Sequence, residues 1–194
     1  VPLRAICRRA LARGEIQVNP TTGIELAAVR GRRERFATPA EARQLIGAAP
    51  PEFRALWATA FYAGLRRGEL IALRWSDVDL AGGVIRVQRS WDVKEGVIQP
   101  KSAAGVRTVP IAAVLGDYLI EHRLSNSTGL VFGRDTERPW STGWITERAS
   151  RAWKTAKLKP ITLHECRHTF ASLMIAAGVN RRRCRPSWAT RRSP

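Results

Sequence analysis

Residues 61–80 read FYAGLRRGELIALRWSDVDL, and the rest of the chain is organised around this stretch. Just upstream, Phe53, Leu56, Trp57, Ala60 and Phe61 recur at helical spacing, and Gly64 supplies the stop. Residues 67–74 then resume as a short helix. Arg66 therefore stands in a turn between two helices, where a side chain can be aimed outward. The N-terminus of the second helix would add backbone donors and a positive dipole end, which together suit an anion. Arg67 and Arg74 read as solvated surface arginines.

Working outward toward the N-terminus, Pro50-Pro51 separates the Phe53 helix from an earlier one. That earlier helix opens at Thr38-Pro39-Ala40-Glu41, a capping box with proline in the first helical position. Before it lies VNPTTGIELAAVRGRRERFA, rich in turn residues and charge without a sustained period, which reads as a linker. Leu3, Ile6, Cys7, Ala10 and Leu11 give a further amphipathic helix closed by Gly14. The opening at Val1, already inside this pattern, reads as a fragment or a truncated product.

Toward the C-terminus, GGVIRVQRS and GVRTVPI alternate as strands around VIQPKSAAG. Ile111, Val114, Leu115, Tyr118 and Leu119 mark a helix. Ser141 is placed to cap the next, which carries Trp144, Ile145, Ala149 and Trp153. Thr162-x-x-Glu165 is a second capping box, opening a helix with Leu163, Phe170, Ala171, Met174 and Ile175 as its apolar set and Gly178 at its end. The fold class expected is α+β, mainly helical, with a small three-stranded antiparallel sheet.

The sequence has 194 residues and a formal net charge of +17. Residues 1–37 contribute +5, residues 38–180 contribute +6, and the last fourteen contribute +6 from six arginines without an acid. A basic excess outside that tail makes a polyanion, DNA or RNA, the first partner to consider. Cys7, Cys166 and Cys184 lack metal-ligand spacing and are odd in number, which fits reduced thiols. Neither a signal peptide nor a run of membrane-spanning length is seen, so no membrane partner and a cytoplasmic, nucleoid-associated location are expected.

Two further sites could carry chemistry. In LHECRHTFASLMI, His164 and Arg167 lie three apart on one helical face, with His168 beside them. A histidine and an arginine at a helix start can donate together to a phosphate. Lys101 follows Pro100 in a turn and would project from a rigid sheet. The ordered set GLRRGELIALRWSDVDL, PKSAAGVRTVPI and LHECRHTFASLMIAAGVN resembles the catalytic domain of the tyrosine recombinases, the phage-integrase-like enzymes, over roughly residues 38–180. Residues 1–20 resemble the last helix of the core-binding domain that precedes it in that family, leaving 21–37 as linker.

The resemblance implies metal-independent phosphoryl transfer with no cofactor, in which a tyrosine attacks a DNA phosphate and leaves a 3′-phosphotyrosyl link. It assigns Arg66 and Arg167 to the non-bridging oxygens, where guanidinium forks suit the crowded transition state. Lys101 would protonate the leaving 5′-oxygen and His164 would assist proton transfer. Glu69 and His168 would support the site. It also implies assembly of copies on DNA, through a C-terminal segment that reaches into a neighbouring subunit.

Two family features are missing from the sequence. After GVN the family carries a Gly-His or Gly-Trp motif and later the nucleophilic tyrosine, whereas this sequence has only Tyr62 and Tyr118. Residues 181–194, RRRCRPSWATRRSP, have too little apolar content to fold. One permitted encoding of them, read from its third base, gives Lys-Ala-Leu-Ser-Thr-Phe-Met-Gly-His-Ala-Ser-Ile-Thr. Trp188 before Ala189 forces the glycine, and Ala189 before Thr190 restricts the next residue to His, Tyr, Asn or Asp. The tail is therefore expected to be out-of-frame translation after Asn180. The chain is then a recombinase domain without its nucleophile, a non-catalytic DNA-binding remnant that competes with an intact relative, or a live enzyme restored by ribosomal slippage or a corrected sequence. Assembly on DNA would be weakened by loss of the C-terminal segment.

Overall fold

Two prolines in first helical positions begin the helices that frame the fold, Pro39 and Pro51. The computed structural model describes residues 2–25, 35–99, 106–127 and 129–176. The chain divides into two compact units, Val1–Arg33 and Glu34–Pro194. In the first, α1 (Pro2–Ala12) ends where Gly14 takes a φ of 72°. Its expected apolar positions Leu3, Ile6 and Leu11 are exposed.

In the second unit, α2 (Pro39–Ala48) is started by Thr38, whose hydroxyl accepts from the Glu41 amide at 3.2 Å. The expected reciprocal half of that capping box does not form, because the Glu41 carboxylate pairs with Arg35. Helix α3 (Pro51–Tyr62) is buried at Phe53 and at every position from Ala55 to Phe61. A helix apolar on all sides belongs at the centre of a domain, and α3 packs on α2, α5 and α7. Here α5 spans Ala113–Ser125 and α7 spans Leu163–Ala176. Between them α6 (Thr142–Thr155) buries Ile145, Ala149 and Trp153. Trp153 stands edge-on to Trp57 with centroids 4.7 Å apart and donates its indole N–H to the Leu45 carbonyl at 2.7 Å. Ser141 holds the N-cap position of α6 without the expected side-chain bond.

The short α4 (Arg67–Ile71) follows α3 and leads through a 3-10 turn, Trp75–Asp77, into the sheet. Strands β1 (Val78–Asp79), β2 (Val84–Val87) and β5 (Arg107–Pro110) form an antiparallel three-stranded sheet in the order β1-β2-β5. Ile85 pairs with Val109, placing buried side chains of both strands over the core. Strands β3 (Ser90–Asp92) and β4 (Gly96–Ile98) make a separate two-stranded ribbon that the sequence pattern did not reveal. The ribbon sits hard against α4: a side chain at Gly68 would come within 2.3 Å of Ser90 Oγ and 2.8 Å of the Trp91 carbonyl.

The buried stripe of α7 is Leu163, Cys166 and Thr169, while Ala171 and Ile175 are exposed, which corrects the apolar set expected for this helix. Its start is as expected. The Glu165 carboxylate accepts from the Thr162 amide and hydroxyl, both at 2.8 Å, and Thr162 Oγ1 accepts from the Glu165 amide at 3.2 Å. Gly178 and residues 181–194 lie outside the described residues.

Candidate active site

The site is built where α3 gives way to α4. Gly64 takes a φ of 59°, and a β-carbon there would fall 2.2 Å from the Phe170 ring of α7. Only glycine permits both the left-handed turn and that close approach. The turn leaves the Gly64 carbonyl free to accept a hydrogen bond from the Arg167 guanidinium of α7. The same glycine thus sets the exit of Arg66 from the helix and ties down Arg167.

Arg66 is the N-cap of α4, and Glu69 is three residues along. The Glu69 carboxylate reaches back to the Arg66 amide at 2.8 Å and accepts from the Arg66 guanidinium at 2.9 Å. The backbone of Arg66 is therefore pinned, while its side chain keeps 62% exposure. Glu69 itself is buried and accepts a two-pronged bond from Arg107 on β5, with both N–H···O distances 2.7 Å. Paired forks of this kind are among the strongest polar contacts in proteins. Burial pushes the Glu69 carboxyl upward, but the Arg107 hydrogen bonds and then the Arg66 amide outweigh it. The carboxyl settles at about 2, against an ordinary 4.5.

Arg167 is half-buried, and burial presses its guanidinium below the ordinary value, with Arg66 and Arg107 adding to the effect and Glu69 opposing it. It remains a cation at neutral pH, since arginine does not deprotonate in proteins. Three guanidiniums thus surround one carboxylate, leaving a positive surplus that an anion can satisfy. Arg107 was not singled out in the sequence. Its signal was faint: an arginine alternating into a strand, with its partner 38 residues away.

His164 is exposed on the first turn of α7 and lines a groove with Arg67, Thr142, Thr146 and Ser150. Its Nε2 lies 2.9 Å from Nε2 of His168. Arg67 is thus exposed but borders a concave surface, and Arg74 departs from a plain solvated arginine by pairing with Glu137 at 3.2 Å. Arg66, Glu69 and Arg167 are brought together, and His164 shares the helix of Arg167. Lys101 falls outside the described residues, though Arg107 at the start of β5 follows six residues later.

The two tyrosines, Tyr62 at the end of α3 and Tyr118 on α5, are half-buried against the core. Burial raises the Tyr62 phenol, with Tyr118 adding to the effect and Arg43 opposing it. A second buried carboxylate, Asp77, accepts from the Arg74 amide at 3.1 Å and pairs with Arg89 at 3.2 Å, bracing the 3-10 turn. The third histidine, His122, is depressed by burial and donates Nε2–H to the Val131 carbonyl at 2.7 Å.

Residues 35–185 match the model of the phage integrase family. Prophage integrase IntR of Escherichia coli K12 is 28% identical over 92% of this chain and 50% of its own length. A putative prophage phiRv2 integrase of Mycobacterium tuberculosis is 34% identical over 91% of this chain and 50% of its own. The chain spans about half the length of the curated relatives it matches. Among solved structures, the Tn1549 transposon integrase in complex with a circular intermediate DNA superposes with a TM-score of 0.77. That likeness covers 93% of this chain and 66% of the other at 19% identity, and it concerns the fold alone. Among the described residues, no helix is long and apolar enough to cross a membrane.

Proposed function

The chain belongs to the phage integrase family, and from that premise we propose that residues 38–180 are the catalytic domain of a tyrosine site-specific recombinase. The domain binds double-stranded DNA, and its chemistry is strand breakage and rejoining through a phosphotyrosyl link. The observation that carries this reading is the convergence of Arg66 and Arg167 beside one shared carboxylate, Glu69. Two guanidiniums, one held on Glu69 yet largely exposed and one tied at Gly64, can grip the two non-bridging oxygens of a phosphodiester. Lys101 protonates the leaving 5′-oxygen, His164 assists proton transfer, and Glu69 and His168 hold these groups in place. Residues 1–20 are the last helix of a core-binding domain, and residues 21–37 link it to the catalytic domain.

The 194-residue chain does not itself cleave DNA on this reading, because residues 181–194 are out-of-frame translation and neither tyrosine is placed to attack. Tyr62 and Tyr118 lie half-buried against the core, Tyr62 with its phenol raised by burial, which favours a second reading for the product in the cell, a DNA-binding competitor of an intact recombinase. A nicked suicide substrate tests both. The chain should bind the duplex with an affinity that falls steeply with salt, yet leave no covalent protein–DNA adduct. Reading the gene in the shifted frame should restore the adduct. An adduct from the unaltered chain would remove the inactivity, and absence of salt-sensitive DNA binding would remove the function. A gene whose shifted frames encode neither Gly-His nor a downstream tyrosine would end the frameshift reading.

A further inference from the structure

The geometry points to a chelating site for a divalent transition-metal ion on the outer face of α7, formed by His164 and His168, with a preference for ions such as Ni²⁺ that accept ligands at right angles. The residues are four apart, so their side chains rise from adjacent turns of one helix, the spacing by which helical histidine pairs grip metals. Their rings stand perpendicular with centroids 4.4 Å apart, and the two Nε2 atoms converge to 2.9 Å. The Phe36 ring stands edge-on to His168 at 6.4 Å and limits its swing. The convergence itself selects the ion. With metal–nitrogen bonds of about 2.0–2.1 Å, two nitrogens 2.9 Å apart subtend roughly 90° at the metal, whereas a tetrahedral ion needs them about 3.3 Å apart. Tetragonal and octahedral ions therefore match this separation once the rings turn from each other toward the ion, and zinc requires the rings to part as well.

The exchange is balanced without an outside reagent. In the neutral pair one Nε2 donates its proton to the other. When the ion takes both lone pairs, that proton moves to Nδ1 of the same ring, and water completes the coordination shell. Glu165 is already committed to the Thr162 cap, and no group of three or more potential ligands occurs among the described residues. The site is thus a two-ligand, exchangeable one. The sequence has three histidines, and the third, His122, is half-buried with its Nε2 bonded to a carbonyl, so it does not offer a second histidine pair.

Binding of the ion does not depend on the proposed function. Its consequence does: on that reading an ion here occupies the nitrogen of His164 that would transfer protons. Isothermal titration of the full chain with NiCl₂ in a non-chelating buffer tests the site. The unaltered chain should show one saturable site, and His164→Gln and His168→Gln should each bind about 10²-fold more weakly as the chelate is lost. Far-UV dichroism and metal-free melting confirm that each variant is folded, and Ni²⁺ should raise the thermal midpoint of the unaltered chain alone. Absence of a saturable site in the unaltered chain, or full affinity in either single variant, overturns the proposal. DNA affinity measured on the same samples separates the two readings. Nickel binding without DNA binding would sink the proposed function and leave this site standing, and the reverse outcome would do the opposite.

Discussion

Replacing Arg107 by alanine should destabilise the second unit by about 2 kcal/mol at neutral pH. Glu69 is buried and accepts four hydrogen bonds, two from Arg107 at 2.7 Å and two from Arg66. Removing one partner of a buried pair typically costs about 3–5 kcal/mol, because the remaining charge is left without compensation. Here the cost is smaller, since both Arg66 contacts remain and the Arg107 side chain is itself 20% exposed. Linkage sets an independent ceiling. A carboxyl held at about 2 instead of 4.5 stores about 3 kcal/mol at pH 7, of which Arg107, as the largest favourable contributor, holds the greater part. The folded value is depressed, so this stability is fully present above the unfolded value of 4.5. It is lost as pH falls toward 2. Urea unfolding of the unaltered chain and Arg107→Ala at pH 7 and pH 3 should therefore show the difference shrinking by about a third at the lower pH. In a Glu69→Gln background the arginine change should cost less than about 0.5 kcal/mol. An equal cost in that background, or a cost independent of pH, would show that Arg107 acts through packing and not through its fork on Glu69.

Other expectations concern the backbone. Gly64→Ala should destabilise by about 2–4 kcal/mol in urea unfolding, combining a left-handed conformation with overpacking against Phe170. It should also weaken DNA binding, since Arg167 is anchored on the carbonyl of that residue. Lys157, a non-glycine residue at a φ of 58° after α6, offers the opposite case. Lys157→Gly should raise stability by about 0.5–1 kcal/mol, and an unchanged or lowered urea midpoint would contradict a strained cap.

Much of this architecture was legible before any coordinates. Pro39, Pro51 and the Thr162-x-x-Glu165 box announce helix starts because their chemistry is local, satisfied within one turn. The apolar spacing from Phe53 to Phe61 gave α3, and the motif match pointed to Arg66, Glu69 and Arg167, which the fold brings together. What failed was decided by distant partners. Glu41 leaves its capping box for Arg35, and α7 buries Cys166 and Thr169 in place of Ala171 and Ile175, because α3 covers a different stripe of its surface. The β3–β4 ribbon escaped notice because each strand has only three residues, too few to show alternation. Arg107 was hidden for the same reason: nothing near it in sequence names Glu69 as its partner.

The placement of Arg107 has a bearing on how the gene can vary. Strand β5 is registered by β2 on one side and by the Glu69 carboxylate on the other, while β4 belongs to a different sheet. The position of Arg107 is therefore set without reference to the residues that join β4 to β5. Chimaeras that exchange that connection should therefore fold around an unaltered Arg66–Glu69–Arg107 core, while the role proposed for Lys101 within it ties its length to activity.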